Sequence, residues 1–437
     1  MQRAYKNAKL YIVAIFLAVA TLPALAYEPA TIAQLEQILA DAHGKPDKDL
    51  AKQLGALELT ERLSTVRLEK LQASLPGIKS RQSLLVLSDN SAFHDLPASE
   101  IPQLPALDQA TQTYLLNKAS TYVKEALPRM IDLVVSRDTD HYDNLKVVSS
   151  GFESPAAMEW MKTMTEAELN GALPAAAVVA AQPYHFTYKT SEIITYRNGE
   201  EAVTSWNGEK VVPAPENAPK RPPARGLSNW GVFGPMLEVA VNDIVASKTE
   251  WGHWEQGKTG LSAVFRYSVP QDASNYDVQF CCFTSGKTWN LSKQELWNVY
   301  ETITSYHGEI AIDLDTGAIL RLTIQTDIPD ETPIYRADLF VEYAPVELGE
   351  KRYFLPARSV TISQAPVPVV EQPIRCPEFH NCLSPTYFHP KDTVVSDTVY
   401  HSYHLFRAET RILPTDASGS AGNSPSSSQP QDGTPRK

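Results

Sequence analysis

The sequence has few of the features by which an enzyme or a membrane protein is identified. It contains no G-x-S-x-G nucleophile turn, no H-E-x-x-H zinc helix and no G-x-G-x-x-G dinucleotide fingerprint. After the first 30 residues, no apolar run approaches the roughly 20 residues that span a bilayer. No reaction can be assigned from a motif, and we expect neither a cofactor nor a transmembrane segment in the mature chain.

Positive charge is also scarce. The chain has 39 Lys and Arg against 51 Asp and Glu, a formal net charge of −12. Because cationic surface supplies most of the affinity for nucleic acids, we expect no nucleic-acid partner. Three basic residues precede an apolar run from Leu10 to Leu22, and Ala24-Leu25-Ala26 follows it. Residues 1–26 are therefore predicted to be a signal peptide, which places the mature chain in the periplasm or outside the cell.

Cysteine is limited to four residues, Cys281, Cys282, Cys376 and Cys382. In an exported chain, cysteines are normally oxidised, so a disulfide is expected rather than thiol chemistry. Cys376 and Cys382 are close in sequence and are predicted to pair, whereas a bond between Cys281 and Cys282 would need a strained ring. Pairing of one of these neighbours with Cys376 or Cys382 remains open.

The first part of the mature chain has the apolar spacing of amphipathic helices. Residues 31–77 repeat Ile and Leu at intervals of three and four, which predicts three helices, the third beginning near Thr60. A fourth helix is predicted from Asp108 to Leu127, after a proline-containing loop. We therefore predict a helical N-terminal domain over residues 27–144.

The rest of the chain is dominated by strand patterns. From Tyr306 to Ile328, aliphatic residues alternate with mostly polar ones on both sides of an Asp-Thr-Gly turn, which predicts a hairpin of half-buried strands. Asn198-Gly199 predicts a second hairpin. Residues 145–414 are predicted to form an antiparallel β domain. Residues 415–437 are rich in Ser and Pro and are predicted to be a disordered tail.

One helix is predicted inside the β domain, from Pro235 to Ser247. Proline in its first turn and apolar groups around more than half of its circumference indicate a helix that covers an apolar surface. The predicted fold class is therefore α+β: an N-terminal helical region followed by a large curved antiparallel sheet or open β-barrel, with this helix as a cover.

Apolar and aromatic residues at and beside this helix form the predicted binding site. In the strand pattern, the two tryptophans of the W-G-H-W run point to opposite faces, so one is expected to pack inward and one to line a ligand groove. The predicted ligand-binding residues are Met236, Val241, Ile244, Trp251 and Trp254. Packing of the tryptophans in the core is the competing interpretation.

Two polar clusters contain residue types that could carry chemistry. The first, with metal-ligand residue types, comprises His380, Cys382, His389, His401 and His404. Residues three apart in a strand point to opposite faces, which disfavours joint ligation by His401 and His404. The second, Asp327, Asp330 and Glu331, has the carboxylates of a calcium or glycosidase site, but its prolines indicate an ordinary acidic loop. We predict no catalytic and no metal-binding residue.

Several stretches resemble a family of uncharacterised bacterial secreted proteins. They are NWGVFGPMLEVAVNDI, WGHWEQG, AVFRYSVP, YHGEIAID, LFVEYAPVELG, YFLP and YHSYHLFRAETRIL in the β-rich part, with QLEQILADAHGKPD and LELTERLS in the helical part. The resemblance covers nearly the whole mature chain and implies no activity. At the level of fold, the sheet with its helix looks like the periplasmic lipoprotein-carrier (Lol-type) and anti-sigma-regulator sensor superfamily, whose members hold acyl chains on a concave face.

Fold and resemblance together lead to an expected function. We expect a non-enzymatic, exported protein of the cell envelope that binds an apolar or acyl-bearing ligand on the concave face of its sheet. The alternative is an interaction scaffold whose helical N-terminal domain docks an envelope protein. The sequence leaves the identity of the ligand and the oligomeric state open.

Overall fold

The computed structural model describes residues 27–126, 132–148, 178–197, 199–211, 226–227, 231–283, 298–329, 332–366 and 391–406. Within these residues it confirms an α+β protein with a large antiparallel sheet. The predicted signal peptide, the Cys376 and Cys382 pair and the predicted tail lie outside the described residues.

The described residues form six helices and sixteen strands. The helices are α1 (Ile32–Asp41), α2 (Asp47–Leu54), α3 (Thr65–Ala73), α4 (Ile78–Asn90), α5 (Gln109–Ala126) and α6 (Pro235–Ala246). The strands are β1 (Glu28–Ala30), β2 (Leu57–Leu59), β3 (Leu133–Val148), β4 (Val178–Arg197), β5 (Glu200–Trp206), β6 (Glu209–Lys210), β7 (Gly226–Leu227), β8 (Lys248–Gly257), β9 (Gly260–Val269), β10 (Asp277–Phe283), β11 (Asn298–Ile303), β12 (Tyr306–Asp313), β13 (Ile319–Thr326), β14 (Arg336–Leu348), β15 (Lys351–Pro366) and β16 (Lys391–Leu405).

Eleven of these strands form one antiparallel sheet in the order β6-β5-β4-β3-β16-β15-β14-β13-β12-β9-β8. β6 and β8 stand at its two edges, so the sheet is not closed into a barrel. Its first long strand, β3, begins at Leu133, before the predicted start of the β domain at residue 145. β3 pairs with β16, the last of the described strands, so the sheet is held at its middle by a contact between distant segments.

Local turn chemistry accounts for the hairpins. Gly317 has φ 77° in the turn between β12 and β13, and Gly199 has φ 84° between β4 and β5, a region that glycine enters at little cost. Both predicted hairpins are confirmed. Pro356 lies opposite Tyr343 at a register shift in β15, a central strand, where a bulge tolerates the missing backbone N–H.

Residues 27–95, here called the helical unit, contain α1 to α4 and have a core of their own. The third helix begins at Thr65 rather than near Thr60, because Leu57–Leu59 is a strand that pairs in parallel with β1. In that strand the two leucines are buried and the glutamate between them is exposed, which is the period of a strand and not of a helix. Helix α4, which the sequence did not predict, follows at Ile78.

The helical unit lies on one face of the large sheet, and the main core lies on the other. Buried residues of α5, α6, β7 and β10 belong to the same apolar cluster as residues of β8, β9, β12, β13 and β14. β7 and β10 form, with β11, a separate three-stranded sheet. No helix within the described part of the chain is both long enough and apolar enough to cross a membrane.

Candidate functional site

The five predicted ligand-binding residues lie in or against the main core. Val241 and Ile244 of α6 are fully buried, and Trp254 is 8% exposed with its Nε1 donating to the Pro105 carbonyl at 2.8 Å. The Trp251 ring meets the Trp254 ring edge to face, with centroids 5.0 Å apart. These four residues are packed against protein rather than around an open groove.

Met236 is placed differently, because it lines a cavity of about 110 Å³ at the N-terminal end of α6. Tyr276 and Leu339 contribute to the same wall, and Asn275, Asp277 and Gln279 make the rest of it partly polar. Val241, Ile244 and the two tryptophans do not line this cavity. The structure therefore separates Met236 from the other four predicted residues.

The apolar pattern of α6 leaves Glu238, Asn242 and Asp243 as its polar residues, and the structure buries Asp243. It is 4% exposed and its carboxylate accepts from the Asn275 backbone N–H and side-chain amide at 2.7 Å each, and from the Tyr306 hydroxyl at 3.1 Å. The helix is thus tied to the start of β10 and to β12 by a satisfied buried carboxylate.

Of the weaker candidates, His401, His404 and Asp327 lie within the described residues, whereas His380, Cys382, His389, Asp330 and Glu331 lie outside them. Among the described residues, no group of three or more His, Cys, Asp or Glu side chains is arranged to hold a metal ion. His307 Nδ1 lies 3.0 Å from Asp327 Oδ1.

Cys281 is buried, and the described part of the chain contains no free cysteine. The pairing of Cys376 with Cys382 falls outside the described residues and stays a prediction.

Residues 252–259 read GHWEQGKT and match the G-x-x-x-x-G-K-T pattern of phosphate-binding loops. That pattern binds phosphate only where it joins a strand to the N-terminus of a helix. Here Gly257 pairs with Gly260 across the turn between edge strand β8 and β9, and Lys258 forms an ion pair with Glu69. The match therefore does not form a phosphate-binding loop.

The contact between the helical unit and the sheet is mostly polar. Its apolar part is a small cluster comprising Val86, Ala92, Tyr142, Phe340, Val360, Ile362 and Val395. Around it, charged or hydroxyl groups of the helical unit meet acids and arginines of the sheet. The pairs are Arg62 with Glu255 (2.7 Å), Thr65 with Glu342 (2.7 Å), Asp95 with Arg266 (2.6 Å) and Asp89 with Arg358. Interfaces of this polarity between separately packed parts favour relative motion.

Two cavities of about 290 Å³ each lie within this contact. One lies between residues 92–95 and strands β9, β12 and β13, and the other reaches from β2 and the end of α4 across to β14, β15, β16, β3 and β4. They share Phe93, His94 and Gln325, and we call the two together the interlayer cleft. Its remaining polar side chains are Glu58, Asn90, Asp95, Asn144, Tyr184, Arg266, Tyr267, His307, Glu309, Thr323, Arg336, Gln364 and Thr393.

The floor of the first cavity is an interruption in the pairing of β12 with β13. The ladder is broken between His307 and Ile310, where the Glu309 N–H donates to the Thr323 hydroxyl at 2.7 Å instead of to a backbone carbonyl. The Tyr267 hydroxyl donates to the Thr323 carbonyl. Gly308 permits this close approach, because a Cβ at that position would lie 2.1 Å from the same carbonyl oxygen.

Beside the cleft, Arg321 joins two carboxylates under the helical unit. Its NH2 group lies 2.7 Å from Glu255 Oε2 and 2.9 Å from Glu309 Oε2, and Arg62 also contacts Glu255 at 2.7 Å. Burial opposes ionisation of Glu255, but the two arginines outweigh it and hold the pKa of this carboxyl well below its usual range. Glu309 lines the cleft, so the network ends at its wall.

A second buried cluster surrounds Asp89 at the C-terminal end of α4. Burial raises the pKa of its carboxyl well above the usual range, Asp397 and Asp140 raise it further, and Arg358 opposes them. Arg358 also donates from Nε to Asp397 at 2.7 Å, so one guanidinium serves two acids. Asp89 Oδ2 and the Tyr142 hydroxyl have no hydrogen-bond partner among the described residues. Asp89 therefore holds its proton to a higher pH in the folded protein than in the unfolded chain.

Replacing Asp89 by asparagine is expected to change the pH dependence of stability. The folded protein keeps a proton on Asp89 that the unfolded chain releases above about pH 4, so this group makes the wild type less stable as pH rises. Each unit by which the folded pKa exceeds the unfolded one adds about 1.4 kcal/mol to that loss. Urea unfolding of both proteins between pH 4.5 and 7.5 should show that the free energy of unfolding of Asp89→Asn, relative to that of the wild type, increases with pH. A constant difference would contradict the assignment.

The interlayer cleft was not predicted, because its residues come from many separate segments and form no motif. The one available signal was the polar side of the central hairpin, which includes His307 and Glu309. That side was expected to face solvent, whereas the helical unit packs against it.

No family model, no curated protein and no solved structure matches the chain.

Proposed function

We propose that the chain is an exported binding protein that holds a polar small molecule in the interlayer cleft. The observation that carries the proposal is the pair of adjoining cavities of about 290 Å³ between two separately packed parts of the chain. Ligand sites prefer such interfaces and usually measure about 300–1,000 Å³. A polar contact allows the helical unit to separate from the sheet and admit a ligand. Export rests on the predicted signal peptide.

The test is to block the cleft where its two cavities meet. His94 is exposed and lines both cavities, so His94→Trp places a large ring at the junction without disturbing a buried contact. His43→Trp is the matched control, because His43 is an exposed residue of the helical unit that does not line the cleft. Both variants and the wild type are screened by thermal unfolding against sugars, nucleotides, amino acids, carboxylates and fatty acids.

A ligand at 100 times its dissociation constant stabilises a folded protein by about 2.7 kcal/mol. We expect at least one polar compound to raise the melting temperature of the wild type and of His43→Trp, and to leave that of His94→Trp unchanged. Equal stabilisation of all three proteins would place the ligand outside the cleft. A screen without any stabilising compound would contradict the binding function.

The cavity beside Met236 favours a second candidate, the apolar or acyl ligand expected from the sequence. We propose for it that the sheet is curved and that α6 covers its concave face, as its buried apolar residues suggest. In the same screen, a fatty acid that stabilises the wild type and His94→Trp equally would support this candidate. If no compound of either class binds, the interaction scaffold is the remaining hypothesis.

A further inference from the structure

The arginines that line the interlayer cleft are already paired with acids of the protein. Arg266 lies 2.6 Å from Asp95 and 3.4 Å from Glu309, and Arg336 is paired with Asp338. An anionic ligand such as a phosphate would have to displace these acids from their arginines, or lie beside them, and both cost free energy. The lining therefore disfavours a strongly anionic ligand.

Neutral groups that both donate and accept hydrogen bonds make up much of the remaining lining. They are the four amides Asn90, Asn144, Gln325 and Gln364, all partly buried, together with the Thr393 hydroxyl. The side chain of Gln325 forms no hydrogen bond to any residue that the structure describes, although it lines both cavities. Asn90 already donates to the Val86 carbonyl, Gln364 donates to the Thr393 hydroxyl, and Asn144 accepts from the Thr393 N–H, so each keeps only part of its hydrogen-bonding capacity. An amide has two N–H donors and an acceptor oxygen, the combination that hydroxyl groups require, and Gln325 keeps all of them free within the described part of the chain.

Two aromatic rings border the same space. Phe93 lines both cavities and has the Arg336 guanidinium 5.5 Å from its ring centroid. Tyr184 lines the second cavity and is stacked on Tyr27, with centroids 6.4 Å apart. Rings held in place in this way present rigid apolar surface beside the amides. A sugar has matching groups, because its hydroxyls need donors and acceptors while its C–H faces are apolar.

We propose that the ligand of the interlayer cleft is a neutral saccharide longer than a single sugar. This inference rests on the proposed function and adds its ligand class. The uncharged amides would bind the hydroxyl groups of such a ligand, and the two aromatic rings would contact its C–H faces. The arginines are already paired and do not require an anion. The two cavities adjoin at Phe93, His94 and Gln325, so neighbouring sugar units occupy the two cavities, with Gln325 contacting both.

The experiment measures binding of five probes by saturation-transfer NMR and calorimetry. The neutral probes are maltotriose, cellotriose and triacetylchitotriose, and the others are glucose 6-phosphate and decanoate. Gln325→Leu removes the shared amide and is expected to weaken binding of a neutral trisaccharide about tenfold, the value of one hydrogen bond at a buried site. Gln256→Leu is the control, because Gln256 is exposed on β8 outside the cleft. Phe93→Leu serves as a second cleft variant if Gln325→Leu does not fold.

Binding of a neutral trisaccharide that either cleft variant weakens and Gln256→Leu leaves unchanged supports the inference. Binding of glucose 6-phosphate or decanoate alone, weakened by the same cleft variants, overturns the saccharide assignment and retains the cleft as a binding site. Lack of binding by all three neutral trisaccharides also overturns the assignment. The proposed function itself fails only if His94→Trp alters the response to no compound, which the thermal screen measures separately.

Discussion

Replacing Arg321 by alanine is expected to lower the free energy of unfolding by about 3–5 kcal/mol. The side chain is 4% exposed and lies between Glu255 and Glu309, both largely buried. Removing it leaves Glu255 with Arg62 and the His253 ring, and Glu309 with the half-exposed Arg266 and the same ring at 4.0 Å. Glu309 then loses its closest cation and Glu255 loses one of its two arginines, in a largely buried place where water replaces the charge poorly.

Two further variants separate charge from packing. Arg321→Met keeps the length of the aliphatic stem and should lose nearly as much stability, because the carboxylates are still left without their partner. Arg266→Ala removes a cation from the same network, but Arg266 is 51% exposed, so its loss should cost no more than about 1 kcal/mol. Urea unfolding measures all three. Equal, small losses for Arg321→Ala and Arg266→Ala would show that the network is solvated.

Replacing Ile244 by aspartate is expected to cost at least about 4 kcal/mol, or to abolish cooperative folding. Ile244 is fully buried on α6 among residues of the main core. A carboxylate among these apolar groups would have to be protonated or drawn toward solvent, and either outcome disrupts the packing of α6.

Ala246→Asp provides the comparison on the same helix, because Ala246 is exposed in the last turn. The new negative charge lies at the C-terminal end of the helix, where its interaction with the helix dipole should lower the free energy of unfolding by only about 0.3–1 kcal/mol. Thermal and urea unfolding distinguish the two. If Ile244→Asp melts like the wild type, α6 is not packed as described and the proposal that it covers the sheet fails. If it unfolds while the parent binds no fatty acid, α6 belongs to the core and not to a ligand site.

Local patterns were sufficient for elements whose cause is local. The hairpin at Gly317 follows from period-two alternation around a glycine that accepts positive φ, and α6 follows from a proline in the first turn and a broad apolar face. The same reasoning was wrong where a short segment is held by a distant partner. Leu57–Leu59 is a strand because β1 lies beside it, and nothing within the segment itself distinguishes that strand from a helical turn.

The candidate site depended on tertiary structure almost entirely. As a carboxylate in a helix, Asp243 would be expected to face solvent. It is buried instead, and Asn275 and Tyr306 supply its hydrogen bonds. Arg321 and Thr323 stand on the polar side of a strand predicted to be half-buried, yet both are 3% exposed, because the helical unit and neighbouring strands cover that side.

By itself, the sequence determined that this chain is an α+β protein with antiparallel hairpins, because turn residues and apolar periodicity act over a few neighbouring positions. Only the tertiary structure decided that β16 returns to pair with β3 and that the helical unit lies on the polar face of the sheet. Those contacts join residues hundreds of positions apart, such as Asp89 and Arg358. The interlayer cleft exists because paired charges, rather than a continuous apolar core, hold these two parts together.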